Sequence, residues 1–368
     1  MMDLASLLLL AVVPVSIEFI VALLYLLVPS RPPNSPKHFN RHRIVQITTR
    51  DAPPELLRRT ISEIRKYDQD VLIFVVTDNQ NPVRVEGKNI KYLIVPPDYK
   101  NGKAKARALN YALEWKMQHF PLDRTYTLFI DEENLVSERL MEYLKHFHGL
   151  ISVGPSLFHR SGSVLAWLMD GSRNASDAVF RLLASHGLPA WHGENVIMRL
   201  DVEAAVGWRS GLAEDLLTHL AIFERFGRIY SWHDYPVYSF SPMDLKDLFR
   251  QRRRWHLGLF EALFKSKHPL RFYFGYKVLV WLLVSLVILI GLLHPGLTIP
   301  AWAKVLALVG VAMYVYGWVR NGVPAPLVFV GAIVQPILFV VETLTLYYAI
   351  VAPTKQFEII KKPGYAKI

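Results

Sequence analysis

With 368 residues, the chain has room for one catalytic-size domain and a second part, at roughly 150 residues per domain. Hydrophobic residues make up 52% and mean hydropathy is +0.22, with the apolar residues gathered at the two ends, which argues against a wholly soluble chain. A formal charge of +11 suits phosphorylated substrates or anionic lipid headgroups; the apolar ends argue against nucleic acid, and the lack of cysteine excludes disulfides and thiolate metal sites.

The run 4–29 is long enough to cross a hydrocarbon core of about 30 Å and lacks a small-residue cleavage site, so it reads as a retained anchor. Arg31, Lys37, Arg41 and Arg43 follow, and the positive-inside rule then puts the next segment in the cytoplasm. From 40 to 245 the pattern alternates strands and helices: IVQITT at 44–49, a helix from Pro54 to Lys66, VLIFVVT at 71–77, IKYLIV at 90–95, a helix over 103–118 and YTLFI at 126–130. That is the signature of a largely parallel, Rossmann-like sheet. The stretch 245–267 spaces apolar residues helically with arginines between them, which predicts an interfacial amphipathic helix over 246–270. Three apolar runs come next, at 275–293, 299–318 and 326–351, within a membrane part spanning 271–352. Three crossings after a cytoplasmic domain would put the tail lysines Lys355, Lys361, Lys362 and Lys367 outside. Two crossings there, three in total, keep the 353–368 tail cytoplasmic, with four as the other count.

Chemistry is concentrated at a few places. Ligands in such sheets bind at the carboxyl ends of strands, where Asp78 (in VVTDN) and Asp131 (in FIDEEN) fall. An Asx-turn or helix cap explains a lone Asp78 equally well. In GKAKARALNYAL (102–113), Lys103, Lys105 and Arg107 open a helix, an arrangement suited to a diphosphate, and the missing Ser or Thr after Lys103 rules out a Walker loop. Asp131 and Glu133, two apart at a strand end, are the pair to share a divalent cation; a solvated acidic turn is the alternative. Glu18 and Glu342 lie in apolar runs, where a carboxylate lines an acceptor groove or hydrogen-bonds between helices. His192, in HGEN, belongs either to a loop over the acceptor or to a structural turn.

Taken with GLAEDLLTHL (211–220) and QRRRW (251–255), these elements resemble glycosyltransferase family 2, whose membrane branch carries in order a strand-end Asp, a Lys-Ala-Gly-like stretch, D-x-D, a Glu-Asp pair and Q-x-x-R-W. More narrowly, DEEN, HGENVIMRLDVEAAVGW (192–208), AED and QRRRW are similar to Egghead-type β-mannosyltransferases and their archaeal relatives. The resemblance covers about 42–260 and implies a GT-A catalytic domain over 40–245, an α/β fold, with helical transmembrane segments at 1–30 and 271–352. It implies Asp215 as general base, Asp78 near the nucleoside, Lys105 near the diphosphate, and Asp131 with Glu133 at a Mn2+ or Mg2+ ion. Gln251, Arg254 and Trp255 complete the site, with Glu214, Trp255 and His192 towards the acceptor. Two positions depart from the pattern: Glu133 stands where most relatives have Asp, and Arg107 where many have Gly.

The implied activity is inverting transfer of mannose from GDP-mannose to a polyprenyl- or dolichyl-phosphate-type acceptor in N-glycan or glycolipid synthesis. The implied setting is a cell-membrane protein with its catalytic domain in the cytoplasm. The tail FEIIKKPGY (357–365) resembles a cytoplasmic stretch of the synthases. The alternative within the class is a UDP-sugar-dependent transferase; from another class, a transporter with a cytoplasmic regulatory domain explains the apolar runs and the two glutamates but not Asp131, Asp215 and QRRRW.

Overall fold

The structure is a computed structural model and describes residues 4–28, 41–273, 275–280, 282–283, 301–354 and 360. Arg31, Lys37, most of the 275–293 run, the four tail lysines and all of the FEIIKKPGY tail but Ile360 lie outside the described residues. Helix α1 (Leu4–Tyr25) comes first, then β1 (His42–Thr49), α2 (Pro54–Tyr67), β2 (Leu72–Thr77), β3 (Ile90–Ile94), α3 (Lys105–His119) and β4 (Thr125–Asp131). The middle holds β5 (Leu135–Val136), α4 (Glu138–His146), β6 (Ile151–Val153), β7 (Ser156–His159), α5 (Val164–Met169) and α6 (Gly171–Ser185). After these come β8 (Val196–Arg199), α7 (Leu200–Val206), α8 (Glu214–Phe226), β9 (Tyr230–Trp232), β10 (Val237–Phe240), α9 (Leu245–Lys265), α10 (Ala301–Arg320) and α11 (Ala325–Val351). The chain divides into two compact units, one of 30–161, 183–241 and 361–368, the other of 1–29, 162–182 and 242–360.

In the first unit seven strands form a sheet in the order β3-β2-β1-β4-β8-β6-β9, and β5-β10-β7 form a small second sheet. Strands β3, β2, β1 and β4 are parallel, with Ile47 paired to Val75 on one side and Ile130 on the other. Strand β8 runs antiparallel to β4 and β6. A parallel strand covered on both faces is a near-continuous apolar run, so IVQITT is buried residue after residue. Val45, Ile47, Ile73 and Val75 pack with Leu57, Ile61 and Ile64 of α2 and Leu140 and Leu144 of α4; Ile44, Phe74 and Val76 face Ala108 and Ala112 of α3. Each such buried aliphatic side chain stabilises the fold by about 1.5–3 kcal/mol relative to exposure.

The strand order reverses at β1. The chain steps outward to β2 and β3, then returns through α3 to set β4 on the other side of β1. Such a reversal opens a crevice above the strand ends, the place where open α/β sheets bind ligands. Asp78 directly follows β2 and Asp131 ends β4, so both acids stand at its rim.

In the second unit Ala166, Met169, Leu248, Tyr314, Trp318 and Leu338 form a core from α5, α9, α10 and α11. Trp318 Nε1 donates to Leu168 O at 2.6 Å, and a Cβ on Gly317 would sit 1.9 Å from Gly171 O, so the helices touch backbone to backbone there. The 27-residue α11 is the one helix among the described residues long and apolar enough to cross a membrane, and it exposes Phe329, Val330, Ile333 and Ile337. The two intramembrane-type glutamates are ion-paired, Glu18 to Lys277 at 2.8 Å and Glu342 to Arg252 at 2.8 Å.

Candidate active site

Helix α3 joins the two rim acids. Its first residue, Lys105, places Nζ 2.5 Å from Asp131 Oδ1, and two positions on Arg107 Nη1 donates to Asp78 Oδ1 at 2.6 Å. Arg107 also donates through Nε to Tyr99 O at 2.8 Å and through Nη2 to Pro96 O and Pro97 O. Arg107, one of the two departures from the expected pattern, is thus the clamp between Asp78 and the loop before α3. Burial pushes the Asp78 carboxyl up from its ordinary pKa, against the pull of Arg107 and Arg50.

The tight approach to α3 is built from unusual backbone. Gly102 has φ +102°, and a Cβ there would lie 3.0 Å from Arg107 N. Ala104, the residue preceding the helix, has φ +50°, a conformation costing an L-residue about 1–3 kcal/mol and typical of functional sites. No side chain caps α3.

Lys105 draws in the Glu-Asp pair as well. It donates to Gly193 O at 3.3 Å, and a Cβ on Gly193 would be 3.2 Å from Asp215 Oδ2 and 3.8 Å from Lys105 Nζ. Burial works against the ammonium, yet the charges of Asp131, Glu214 and Asp215 outweigh it and raise its pKa. Glu214 is 4% exposed, and Asp215 Oδ1 accepts from Leu216 N at 2.8 Å in the first turn of α8, where carboxylates meet the positive helix end. Asp131, Lys105, Gly193 and Asp215 therefore form one constellation, with His192 next in sequence to Gly193.

The FIDEEN turn is held from behind. Asp131 N donates to Asn134 Oδ1 at 2.7 Å, Asn134 Nδ2 donates to Glu194 Oε2 at 2.8 Å, and Thr60 Oγ1 donates to Glu132 O at 2.7 Å. Glu133 is 7% exposed and accepts from Ser239 Oγ at 3.4 Å. Among the described residues no group of three Asp, Glu or His side chains forms a metal cage. Asp131, 30% exposed at its side chain, offers the hard oxygen that a divalent ion prefers. Such a donor set fits an ion held by one or two carboxylates and completed by phosphate oxygens and water. A cavity of about 180 Å³ lies at the ends of β1 and β2, lined by Thr49, Asp51, Leu57, Thr77, Asn79 and Tyr92; Thr77 and Asn79 flank Asp78 in sequence, and Asp78 itself is not part of the lining.

Gln251, Arg254 and Trp255 lie on α9 in the other unit. Gln251 is buried, and the Trp255 ring lies under two guanidiniums, Arg252 at 4.4 Å and Arg173 at 4.5 Å. The arginines of this helix are not all on a solvated face, since Arg252 is 1% exposed.

Several groups behind the site were not among the candidates read from the sequence. Lys116 is fully buried and donates to Glu203 Oε2 at 2.7 Å, Gln46 Oε1 at 3.0 Å and Thr127 Oγ1 at 3.2 Å. Trp208 Nε1 donates to Glu203 Oε1 at 3.0 Å, and Asn110 brackets the Trp208 backbone, which fixes the segment leading into α8. One turn along α8 from Asp215 is His219, whose burial lowers its pKa to about 4. Its Nδ1 meets Tyr230 OH at 3.1 Å. The Glu-Asp pair was the available signal for His219, as i and i+4 share a helix face.

Comparison with known proteins bears on this arrangement. The family model described as glycosyl transferase family group 2 matches residues 126–341. The β-1,4-mannosyltransferase bre-3 of Caenorhabditis elegans is 26% identical over 196 residues, which cover 48% of this chain and 42% of the relative. Its Caenorhabditis briggsae counterpart is 25% identical over 196 residues with the same coverage. The chain thus spans under half the length of the curated relatives it matches. Among solved structures, the mannosyltransferase PcManGT from Pyrobaculum calidifontis, in complex with GDP-Man and Mn2+, superposes with a TM-score of 0.51 at 13% identity, covering 93% of this chain and 99% of that one. That likeness establishes a shared GT-A-like fold, as expected from the sequence motifs.

Proposed function

This chain belongs to the glycosyl transferase family group 2, and from that premise we propose that it is a membrane-bound, inverting transferase moving mannose from GDP-mannose onto a lipid-linked acceptor. The observation that carries the reading is the constellation at the switch point, one half-buried lysine set among Asp131, Glu214 and Asp215. Proton acceptor and diphosphate partner stand together there, and a transporter's regulatory domain needs neither.

In the proposed reaction the acceptor hydroxyl oxygen attacks the anomeric carbon while the bond from that carbon to the diphosphate oxygen breaks. Asp215 takes the hydroxyl proton, and the sugar is transferred with inversion. Lys105 lends its charge to the departing diphosphate, and the positive end of the uncapped α3 favours the same anion. The Asp78 rim and its neighbouring cavity receive the nucleoside, with Arg107 holding the carboxylate in place. When bound, Mn2+ or Mg2+ would neutralise part of the leaving-group charge, held by Asp131 and, beside it, Glu133. Gln251, Arg254 and Trp255 are assigned to the same reaction on the strength of the QRRRW motif.

Mannose as the sugar is supported by the bre-3 relatives, and GDP-mannose with Mn2+ by the complex reported for PcManGT. The apolar α11 and the basic α9 support a lipid-linked acceptor reached from a membrane surface. Titration calorimetry of the full chain with GDP and UDP, each with Mn2+, tests the donor assignment. GDP binding at least about tenfold tighter than UDP, and weakened about tenfold or more by Lys105→Met, is the expected result. Preference for UDP would replace the donor, and absence of nucleotide binding would remove the function.

A further inference from the structure

A carboxylate on an apolar helix is costly unless it is paired, and Glu342 on α11 is paired inside its own unit. Arg252 Nε lies 2.8 Å from Glu342 Oε1, and its Nη2 lies 2.9 Å from Asp170 Oδ1. All three side chains are at most 3% exposed. The same guanidinium donates through Nη1 to Gln251 Oε1 at 3.1 Å and stands 4.4 Å from the centre of the Trp255 ring. Arg252 is not one of the three named positions of Q-x-x-R-W, yet it touches two of them.

Those contacts have consequences for both neighbours. An arginine has donors only, so its bond to Gln251 must be accepted by the amide oxygen. This fixes the flip of the Gln251 amide and leaves its NH2 as the end available to another group. The guanidinium over Trp255, with Arg173 4.5 Å from the same ring, restricts the indole's rotation. Meanwhile Asp170 Oδ2 and Glu342 Oε2 are buried without hydrogen-bond partners. Arg252 Nε makes no hydrogen bond either, so Glu342 holds the guanidinium by charge alone and Asp170 by charge and a hydrogen bond, while Arg173 adds its charge near Glu342.

We propose that Arg252 is a positioning residue for sugar transfer: anchored by Asp170 and Glu342, it orients Gln251 and Trp255, so that Glu342 acts on the reaction from within the apolar helix. The proposal rests on the reading of QRRRW as part of the transferase machinery. A clamp that merely holds helices together would leave the orientation of Gln251 and Trp255 irrelevant to turnover, and the two roles are separable.

Transfer kinetics and melting are measured on the full chain in detergent for the wild type, Arg252→Met, the neutral set Arg252→Met with Asp170→Asn and Glu342→Gln, and the cycle of Glu342→Gln against Gln251→Ala. Arg252→Met alone strands two buried carboxylates and melts early. The neutral set recovers most of the melting temperature, because no charge is left unpaired, while kcat stays down by about tenfold or more with donor KM within about twofold. In the cycle, Glu342→Gln lowers kcat by about fivefold in the wild-type background and by less than about twofold once Gln251 is gone. Wild-type kcat in the folded neutral set, or additive effects in the cycle, overturns the proposal and leaves a structural clamp. A wild-type chain that transfers no sugar from any donor overturns the parent reading, and this one with it.

Discussion

Replacing Lys116 by Met tests how the site is supported from behind. The Lys116 and Glu203 side chains are 0% and 1% exposed and 2.7 Å apart, so the substitution leaves Glu203 as an unpaired buried carboxylate beside Trp208. Breaking one partner out of a buried pair costs about 3–5 kcal/mol. At roughly 2–4 °C per kcal/mol for a domain of 150–250 residues, the melting temperature falls by about 6–20 °C. Glu203 and Asn110 fix Trp208, and Trp208 begins the segment that enters α8 at the Glu-Asp pair, so transfer activity at moderate temperature drops as well. Adding Glu203→Gln removes the stranded charge and keeps an oxygen for Trp208 Nε1, which recovers most of the loss. Scanning calorimetry or intrinsic fluorescence melting of the three variants is the assay. A Lys116→Met protein melting within about 2 °C of wild type, or a double variant no better than the single, refutes the reasoning.

Three further outcomes follow from the geometry. Gly193→Ala places a methyl 3.2 Å from Asp215 Oδ2, tighter than ordinary contact, so kcat falls about tenfold while the melting temperature stays within a few degrees; unchanged kinetics contradict the adjacency. Arg107→Ala releases Asp78 and the loop at Pro96–Tyr99, and GDP affinity measured by calorimetry drops about tenfold with little change in kcat. Burial pushes His219 down to about 4 and His233 down to about 3 from the ordinary 6.5. Between 6.5 and those values the unfolded chain holds more protons than the folded one, so stability is full above about pH 6.5 and declines as pH falls through that window. Each histidine costs the fold about 2 kcal/mol by pH 5. A melting temperature that is flat from pH 7 to pH 5, or one whose slope is unchanged by His233→Asn, contradicts this.

Much of the sheet was legible from composition alone. IVQITT, LIFVVT and YTLFI are dominated by β-branched and apolar residues because they are the central strands, and Asp78 and Asp131, which follow the last two, could be placed at a ligand crevice from the sequence. Strands β5 to β10 have two to four residues, too few for a periodic pattern, and were not seen. Within the site, Lys105 and Asp131 were both candidates, but their direct pairing comes from the fold of α3 against β4. Lys116 and Arg252 were hidden for a common reason: a lysine or arginine on a helix reads by default as exposed, and only the carboxylate supplied by another element shows that it is buried. Glycine 193 carries no chemical signal; its value lies in letting Asp215 and Lys105 approach.

The most direct test of the central claim is transfer of radiolabelled sugar by the detergent-solubilised full chain and its Asp215→Asn variant. GDP-mannose and UDP-sugars are offered as donors, with polyprenyl-diphosphate-linked sugars, which carry the free hydroxyl, as acceptors and Mn2+ present. Label passing from GDP-mannose into the lipid fraction with the wild type, and reduced by about three orders of magnitude or more in the variant, is the predicted result. Equal transfer by wild type and variant, or no transfer from any donor, contradicts the account.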